Sequence, residues 1–273
     1  MSRATLIFIL TMMLPPFAEA KVLGKDGRKR PPANYSNLES SIGKLVDRTN
    51  NFVCTAFCVA RNTIVTNAHC LAWGVNKKYQ KTRDLRNFVF RLTGRSTNLR
   101  WKNAKPLGDP YLSALVPKPK KKWSASNYVD WAAARLWDGI CGENALRFAD
   151  ARLINKIESP GGVKVSMIGY HADRFKRHIA YQDCHVAGTS YGHGNAIAGH
   201  TCDTGRWSSG SPLLVRTDEG VRVIAIHRGN KSFKKAVSLA FGSSRKQRWK
   251  VLNIAVLPIQ LKRELPEFLD KKF

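Results

Sequence analysis

The chain has 273 residues, with 46 Lys+Arg against 19 Asp+Glu, for a formal net charge of +27. Its 43% hydrophobic content is ordinary for a globular protein, so a sizeable core can form. The charge points to anionic partners such as acidic polymers or surfaces. The absence of a finger, homeodomain or aromatic ribonucleoprotein motif argues against sequence-specific nucleic-acid binding.

Arg3 precedes a mostly apolar run from Ala4 to Leu14, and Ala18-Glu19-Ala20 offers a small-x-small cleavage site. The run falls well short of the ~20 residues a membrane-spanning helix needs. Residues 1–20 therefore read as a signal peptide cut after Ala20, and the mature protein as secreted or periplasmic rather than integral to a membrane. A polar leader or propeptide follows from Lys21 to Ser41, without apolar periodicity.

From Ile42 onward the pattern is one of short strands between turns. Cys54 to Ala60, Arg61-Asn62, and Thr63 to Thr66 read as a hairpin. Asn87 to Leu92, Val163 to Gly169 and Val221 to Ile226 are further strand candidates, bounded by Gly, Asn or Asp. Two basic stretches, Arg95 to Lys122 and Lys231 to Lys250, read as extended surface loops. The best helical signal is Ile259 to Asp270, which Pro266 should break or bend. Many short strands with turn signals predict an all-β barrel or sandwich.

An exported chain sees an oxidising compartment, so Cys54, Cys58, Cys70, Cys141, Cys184 and Cys202 are expected as disulfides. They allow 15 pairings, and spacing alone does not choose among them. No paired Cys-x-x-Cys knuckle favours a zinc site. His171, His178, His185, His193 and His200 lack a His-Glu-x-x-His pattern and read as scattered surface or loop residues, not metal ligands.

Three short motifs carry the chemistry. Thr66-Asn67-Ala68-His69-Cys70 ends a strand, Asp130-Trp131-Ala132 begins an apolar segment, and Ser209-Gly210-Ser211-Pro212 lies in a serine-rich turn. A histidine, a carboxylate and a serine are the types that nucleophilic acyl transfer needs, because a serine hydroxyl is a poor nucleophile until a base takes its proton. Each motif alone is weak; the three in this order are specific.

In that order and with those neighbours, the sequence resembles the chymotrypsin-like serine proteases, and more closely their bacterial glutamyl-endopeptidase-like branch. Val22 to Arg28 resembles that branch's leader, and Cys202-Asp203-Thr204 and Val223 to His227 its later motifs. The resemblance implies two antiparallel β-barrel lobes, about 42–150 and 151–258, within a protease domain of 42–273 and a short C-terminal helix. It implies His69, Asp130 and Ser209 as the catalytic triad, with no cofactor and no metal, acting on protein or peptide substrates. It further implies Cys58–Cys70 and Cys184–Cys202 disulfides, which leaves Cys54–Cys141.

The oxyanion hole would use the N–H groups of Ser209 and Trp207. The family carries glycine at the second position, and tryptophan resists the backbone conformation that glycine adopts there. Trypsin-like zymogens carry an aspartate just before the nucleophile, to pair with a freed N-terminal amine; here that residue is Ser208. Thr204 and His227 would line a pocket for an acidic side chain. The implied function is a secreted serine endopeptidase cleaving after acidic residues. The alternative is a catalytically inactive protease-fold protein that binds anionic ligands through its basic surface.

Overall fold

The computed structural model describes residues 21–73, 81–82, 85–99, 111–112, 130–173, 175–188, 197–242 and 247–270. The expected signal peptide, most of the Arg95–Lys122 stretch, and His193 lie outside them.

The first sheet begins with β1 (Ile42–Asp47), β2 (Phe52–Ala60) and β3 (Thr63–Thr66), followed by the single turn α1 (Ala68–Leu71). A short pair, β4 (Ala72–Trp73) with β5 (Lys81–Thr82), stands apart from it. Then come β6 (Phe88–Leu92), β7 (Arg95–Asn98), β8 (Tyr111–Leu112) and β9 (Ala132–Arg135), giving the order β7-β6-β1-β2-β3-β9-β8. A bridge between Leu99 and Leu136 joins the chain just beyond β7 to the chain just beyond β9. Period-two alternation sends Phe88, Phe90 and Leu92 inward and leaves Arg91 exposed. The inward side chains meet Leu45, Ile64 and Leu136 in one core.

The second lobe comprises β10 (Arg147–Phe148), α2 (Ala151–Asn155), β11 (Val163–Gly169), β12 (Ala180–Gly188), β13 (Ile197–His200), β14 (Pro212–Thr217), β15 (Gly220–Leu239) and β16 (Gln247–Val256). Its order is β10-β15-β14-β11-β12-β13-β16, and β15 also pairs with β16, so six strands close into a barrel. Closure removes the unpaired edges that an open sheet would present. Val165, Met167, Val186, Leu213 and Ile224 fill it. The all-β, two-barrel expectation holds.

A third cluster joins the lobes through Phe57, Val65 and Trp131 from the first and Ile168, Leu214 and Ile226 from the second. Helix α3 (Ile259–Asp270) adds Leu261 and Leu265 to it. Burying each contributes about 1.5–3 kcal/mol, which explains how the helix runs through the exposed Pro266 without breaking. The leader is part of the same packing. Lys29 pairs with Tyr181 through two backbone hydrogen bonds of 2.9 and 2.8 Å, and the 3-10 turn Ala33–Ser40 buries Tyr35 and Leu38 in the joining cluster.

Two expectations need correction. Lys231 to Lys250 is not wholly a loop: β15 and β16 pair from Ile226 opposite Val256 out to Leu239 opposite Gln247, with irregularities at His227/Gly229 and Ser232/Val237. Phe233, Val237, Trp249 and Val251 are strand formers interspersed among the lysines, and the charge run hid them.

The disulfides are Cys54–Cys70, Cys58–Cys141 and Cys184–Cys202. Only the third matches the resemblance-based set; Cys58–Cys70 and Cys54–Cys141 do not form. Strand direction explains the exchange. β3 runs antiparallel to β2 with Val65 opposite Phe57, so the chain continuing past Thr66 travels toward the start of β2 and brings Cys70 to Cys54. Cys58 lies at the other end, where Leu146 N–H donates to its carbonyl at 2.8 Å and Cys141 is close by.

Among the described residues, no helix is long and apolar enough to cross a membrane. Three disulfides fit an oxidising compartment.

Candidate active site

β3 and β9 pair antiparallel with Thr66 opposite Ala132, so the residues just after β3 meet those just before β9. His69 and Asp130 therefore face each other at one end of the first lobe. The His69 ring places Nδ1 2.6 Å from Asp130 Oδ2, and the His69 backbone N–H donates to Oδ1 at 2.9 Å. Asn67 Nδ2 donates to the Asp130 carbonyl at 2.7 Å, which fixes the backbone beneath the carboxylate. Asp130 is 4% exposed. Burial pushes its carboxyl up, but the His69 charge, the His69 hydrogen bonds and the Arg228 guanidinium outweigh that and hold it at about 2.

Ser209 lies in the turn before β14. Its carbonyl accepts from Thr55 N–H at 2.9 Å, and the next residue, Gly210, donates to the His227 carbonyl at 2.9 Å. Gly210 sits at φ 86°, and a Cβ there would collide with the Thr55 carbonyl and the Thr66 hydroxyl, so this turn requires glycine. The Ser209 hydroxyl donates to the Arg228 carbonyl at 3.4 Å rather than to the His69 ring.

Arg228 links the pieces, because its Nε also donates to Asp130 Oδ2 at 3.0 Å. Sequence reading passed over it. The available signal was its place after His227 in a strand, where successive side chains point to opposite faces.

Trp207 adopts φ 78°, a conformation rare for a bulky L-residue. The tryptophan thus accepts the positive φ that glycine takes readily. Thr55 Oγ1 donates to its carbonyl at 3.0 Å, and Ala172 N–H donates to the Arg206 carbonyl at 2.8 Å. In a trans peptide the C=O and N–H point in opposite directions, so the Trp207 N–H faces away from Ala172. Among the described residues, the N–H groups of Trp207 and Ser209 have no hydrogen-bond partner.

Chymotrypsin-like geometry accounts for these observations together, and comparison with known proteins agrees. The trypsin-like peptidase domain family matches residues 54–226, most of the chain and all three motifs. The chain belongs to the trypsin-like peptidase family. A Glu endopeptidase solved in complex with MPD is similar in structure, with TM-score 0.60 and 16% sequence identity over 92% of this chain and 100% of that chain. No curated protein sequence matches. Membership makes this a protease, a hydrolase whose substrates are proteins or peptides.

In this trypsin-like peptidase the two pocket candidates occupy different environments. His227 is fully buried, with Nδ1 2.9 Å from His200 Nε2 and with Nε2 unpartnered. Burial lowers His227 well below the usual histidine range and His200 to about 3, so both are neutral at neutral pH. The Thr204 hydroxyl is already engaged: it accepts from Lys21 N–H at 2.8 Å and donates to Asn253 Oδ1 at 3.1 Å. Asp203 is turned to the leader, accepting from Leu23 N–H at 2.7 Å and Gly27 N–H at 2.8 Å.

The reading of His171 and His200 as scattered surface or loop residues is corrected for His200, which is buried at the end of β13; His171 lies in a loop, but a buried one. His200 is recruited by His227, and His171 by Arg28, whose Nη1 lies 3.0 Å from its Nδ1. Cys54, His69 and Cys70 place potential ligand atoms within 4.8 Å of one another, but the two sulfurs are joined as a disulfide and offer no thiolate to a metal.

Proposed function

We propose that this peptidase is an exported serine endopeptidase cleaving after acidic residues, with Ser209 as nucleophile, His69 as base and Asp130 as the carboxylate that orients it. The observation that carries the reading is the two-point grip of Asp130 on His69, one carboxylate oxygen on the ring and the other on the backbone. A carboxyl held at about 2 can only accept hydrogen bonds at neutral pH, so Nδ1 carries a proton and Nε2 is the ring nitrogen left to act as base.

For reaction, the Ser209 hydroxyl rotates from the weak Arg228 contact to Nε2. As Oγ bonds to the substrate carbonyl carbon, its proton passes to Nε2, and Asp130 stabilises the imidazolium. The carbonyl oxygen, now negative, is received by the Ser209 and Trp207 N–H groups. Collapse breaks the C–N bond and the amine leaves with the proton from Nε2. Water then hydrolyses the acyl-enzyme with the same base.

The preference for acidic side chains rests on His227. If its Nδ1 accepts from His200, its Nε2 carries a hydrogen without a partner, and a substrate carboxylate would satisfy it. Thr204 fixes the pocket wall instead of offering a free hydroxyl. The net charge of +27 favours acidic substrates at longer range. Export rests on the Ala4–Leu14 run and the Ala18-Glu19-Ala20 site.

A second reading, an inert scaffold that binds anionic polymers, draws on the Ser209 hydroxyl bonding Arg228 instead of His69. A fluorophosphonate probe decides between the two. Labelling of the wild type that Ser209→Ala and His69→Ala both abolish supports the peptidase. A folded wild type that stays unlabelled, yet binds a polyanion with steep salt dependence, supports the scaffold. A peptide library cleaved chiefly after Lys or Arg would remove the acidic preference.

A further inference from the structure

With Ser208 in place of an aspartate, the loop carrying Trp207 lacks the ion pair that organises it in trypsin-like enzymes, and something else must hold it. The Ser208 hydroxyl only closes the loop on itself, donating to the Gly205 carbonyl at 2.6 Å. Trp207 at φ 78° would gain by relaxing, and rotation of the Arg206–Trp207 peptide plane is the obvious route. That rotation would turn the Trp207 N–H away from its present direction.

The four residues before Trp207 are gripped from outside, and most of the grip comes from the leader. Asp203 accepts from Leu23 and Gly27 N–H groups. Thr204 exchanges hydrogen bonds with Lys21: its hydroxyl accepts from Lys21 N–H at 2.8 Å, and its N–H donates to the Lys21 carbonyl at 3.2 Å. Gly205 lies against the Arg28 side chain so closely that a Cβ would be 2.9 Å from Nη1 and 3.1 Å from His171 Nδ1. Arg206 is held by Ala172, the neighbour of that same histidine.

Arg28 is a buried cation, its side chain 4% exposed, neutralised by Asp26 at 2.8 Å and Asp173 at 2.6 Å. Its guanidinium therefore fixes three things together: the leader turn through Asp26, the 171–173 segment through His171 and Asp173, and the packing surface for Gly205. A planar five-donor group does this; an ammonium cannot match the fork.

We propose that the docked leader, Lys21 to Arg28, is the activating element of this enzyme, and that Arg28 is a positioning residue acting through residues 203–206 on the Trp207 N–H. The leader is then retained in the working protein rather than shed as an inhibitory propeptide. The inference rests on the peptidase reading above.

The test uses the full mature chain with Arg28→Ala and Arg28→Lys, measuring kcat and KM on a peptide amide, fluorophosphonate labelling, and folding by circular dichroism. Because removal of one oxyanion donor costs about 100- to 1000-fold in kcat, Arg28→Ala should lose on the order of 100-fold in kcat with KM within about threefold of wild type. Millimolar guanidinium chloride, refilling the site, should restore part of the kcat of Arg28→Ala and none in the wild type. Arg28→Lys should fold normally and lose about tenfold. A folded Arg28→Ala with wild-type kcat, or a loss that tracks unfolding and is not rescued, overturns the proposal. If the alanine variant does not fold, an Arg28→Lys with unchanged kcat overturns it equally. A wild type that never labels removes the peptidase reading and this inference with it, whereas a labelling wild type beside a fully active Arg28→Ala removes only the inference.

Discussion

Replacing Arg228 with methionine removes the guanidinium from the Asp130 carboxylate while keeping most of the side-chain volume. In the wild type, Asp130 Oδ2 receives Arg228 Nε at 3.0 Å and His69 Nδ1 at 2.6 Å. Asp130 is held at about 2 in the folded chain, against ~3.9 for an ordinary aspartate, and a difference of that size contributes on the order of 2–3 kcal/mol of stability at neutral pH. The Arg228 share follows from charge and distance. With an effective dielectric of ~40 for a pair part-way between interior and water, Coulomb's law gives about 3 kcal/mol at this separation. The Arg228 side chain is 20% exposed, so solvent screening and its own desolvation reduce the net to about 1–1.5 kcal/mol.

The pH dependence separates this ion pair from simple packing. A depressed carboxyl contributes stability that is complete above its unfolded value and is lost as pH falls through its folded value, here about 2. Urea unfolding of wild type and Arg228→Met should therefore differ by about 1–1.5 kcal/mol at neutral pH, and the gap should close as pH falls from ~4 toward ~2. A gap that stays constant across that range would mean Arg228 acts by packing. No gap at neutral pH would mean the pair contributes nothing.

Gly210→Ala should cost more than about 3 kcal/mol, because φ 86° and the Thr55 and Thr66 oxygens leave no room for a methyl group; a wild-type melting temperature would refute this. Trp207→Gly should keep kcat within about threefold, because glycine adopts the same positive φ without strain, and a tenfold loss would show that the indole itself takes part. His200 is buried neutral, with its pKa lowered to about 3, so stability should fall as pH drops below ~6.5, where the unfolded histidine takes a proton that the folded one refuses. His200→Gln should flatten that part of the pH–stability curve, and an unchanged slope would place the effect elsewhere.

The parts of the fold that were legible in the sequence are those fixed by neighbours along the chain. The hairpin of β2 and β3 announces itself by Cys54 to Ala60, a two-residue turn, and Thr63 to Thr66, and the strands lie there. The β15–β16 ribbon was hidden because its lysines mask a strand pattern that becomes stable only when a second strand pairs with it. The disulfides were misassigned for a related reason. Cys54 and Cys58 are four residues apart on one strand, share its inward face, and are chemically identical, so nothing local distinguishes which of them Cys70 will meet. The direction in which β3 returns along β2 decides it, and that direction belongs to the sheet.

The same distinction runs through the candidate site. His69, Asp130 and Ser209 were found because each sits in a short motif whose order is informative. The residues that hold their surroundings in place carry no such mark. Arg28 looks like one more charge in a basic leader, yet it is buried against Asp173 and Gly205, far along the chain. Asp203 sits beside the pocket candidate Thr204 in the Cys202-Asp203-Thr204 motif, yet both of its oxygens accept from leader amides. A carboxylate committed to two backbone N–H groups and a glutamine has little capacity left for a substrate. The basic composition that suggested an anion-binding surface thus conceals at least one buried arginine. The wall of the proposed pocket would be built in part from the segment that reads, in sequence, as a leader or propeptide, through the Lys21 contact to Thr204.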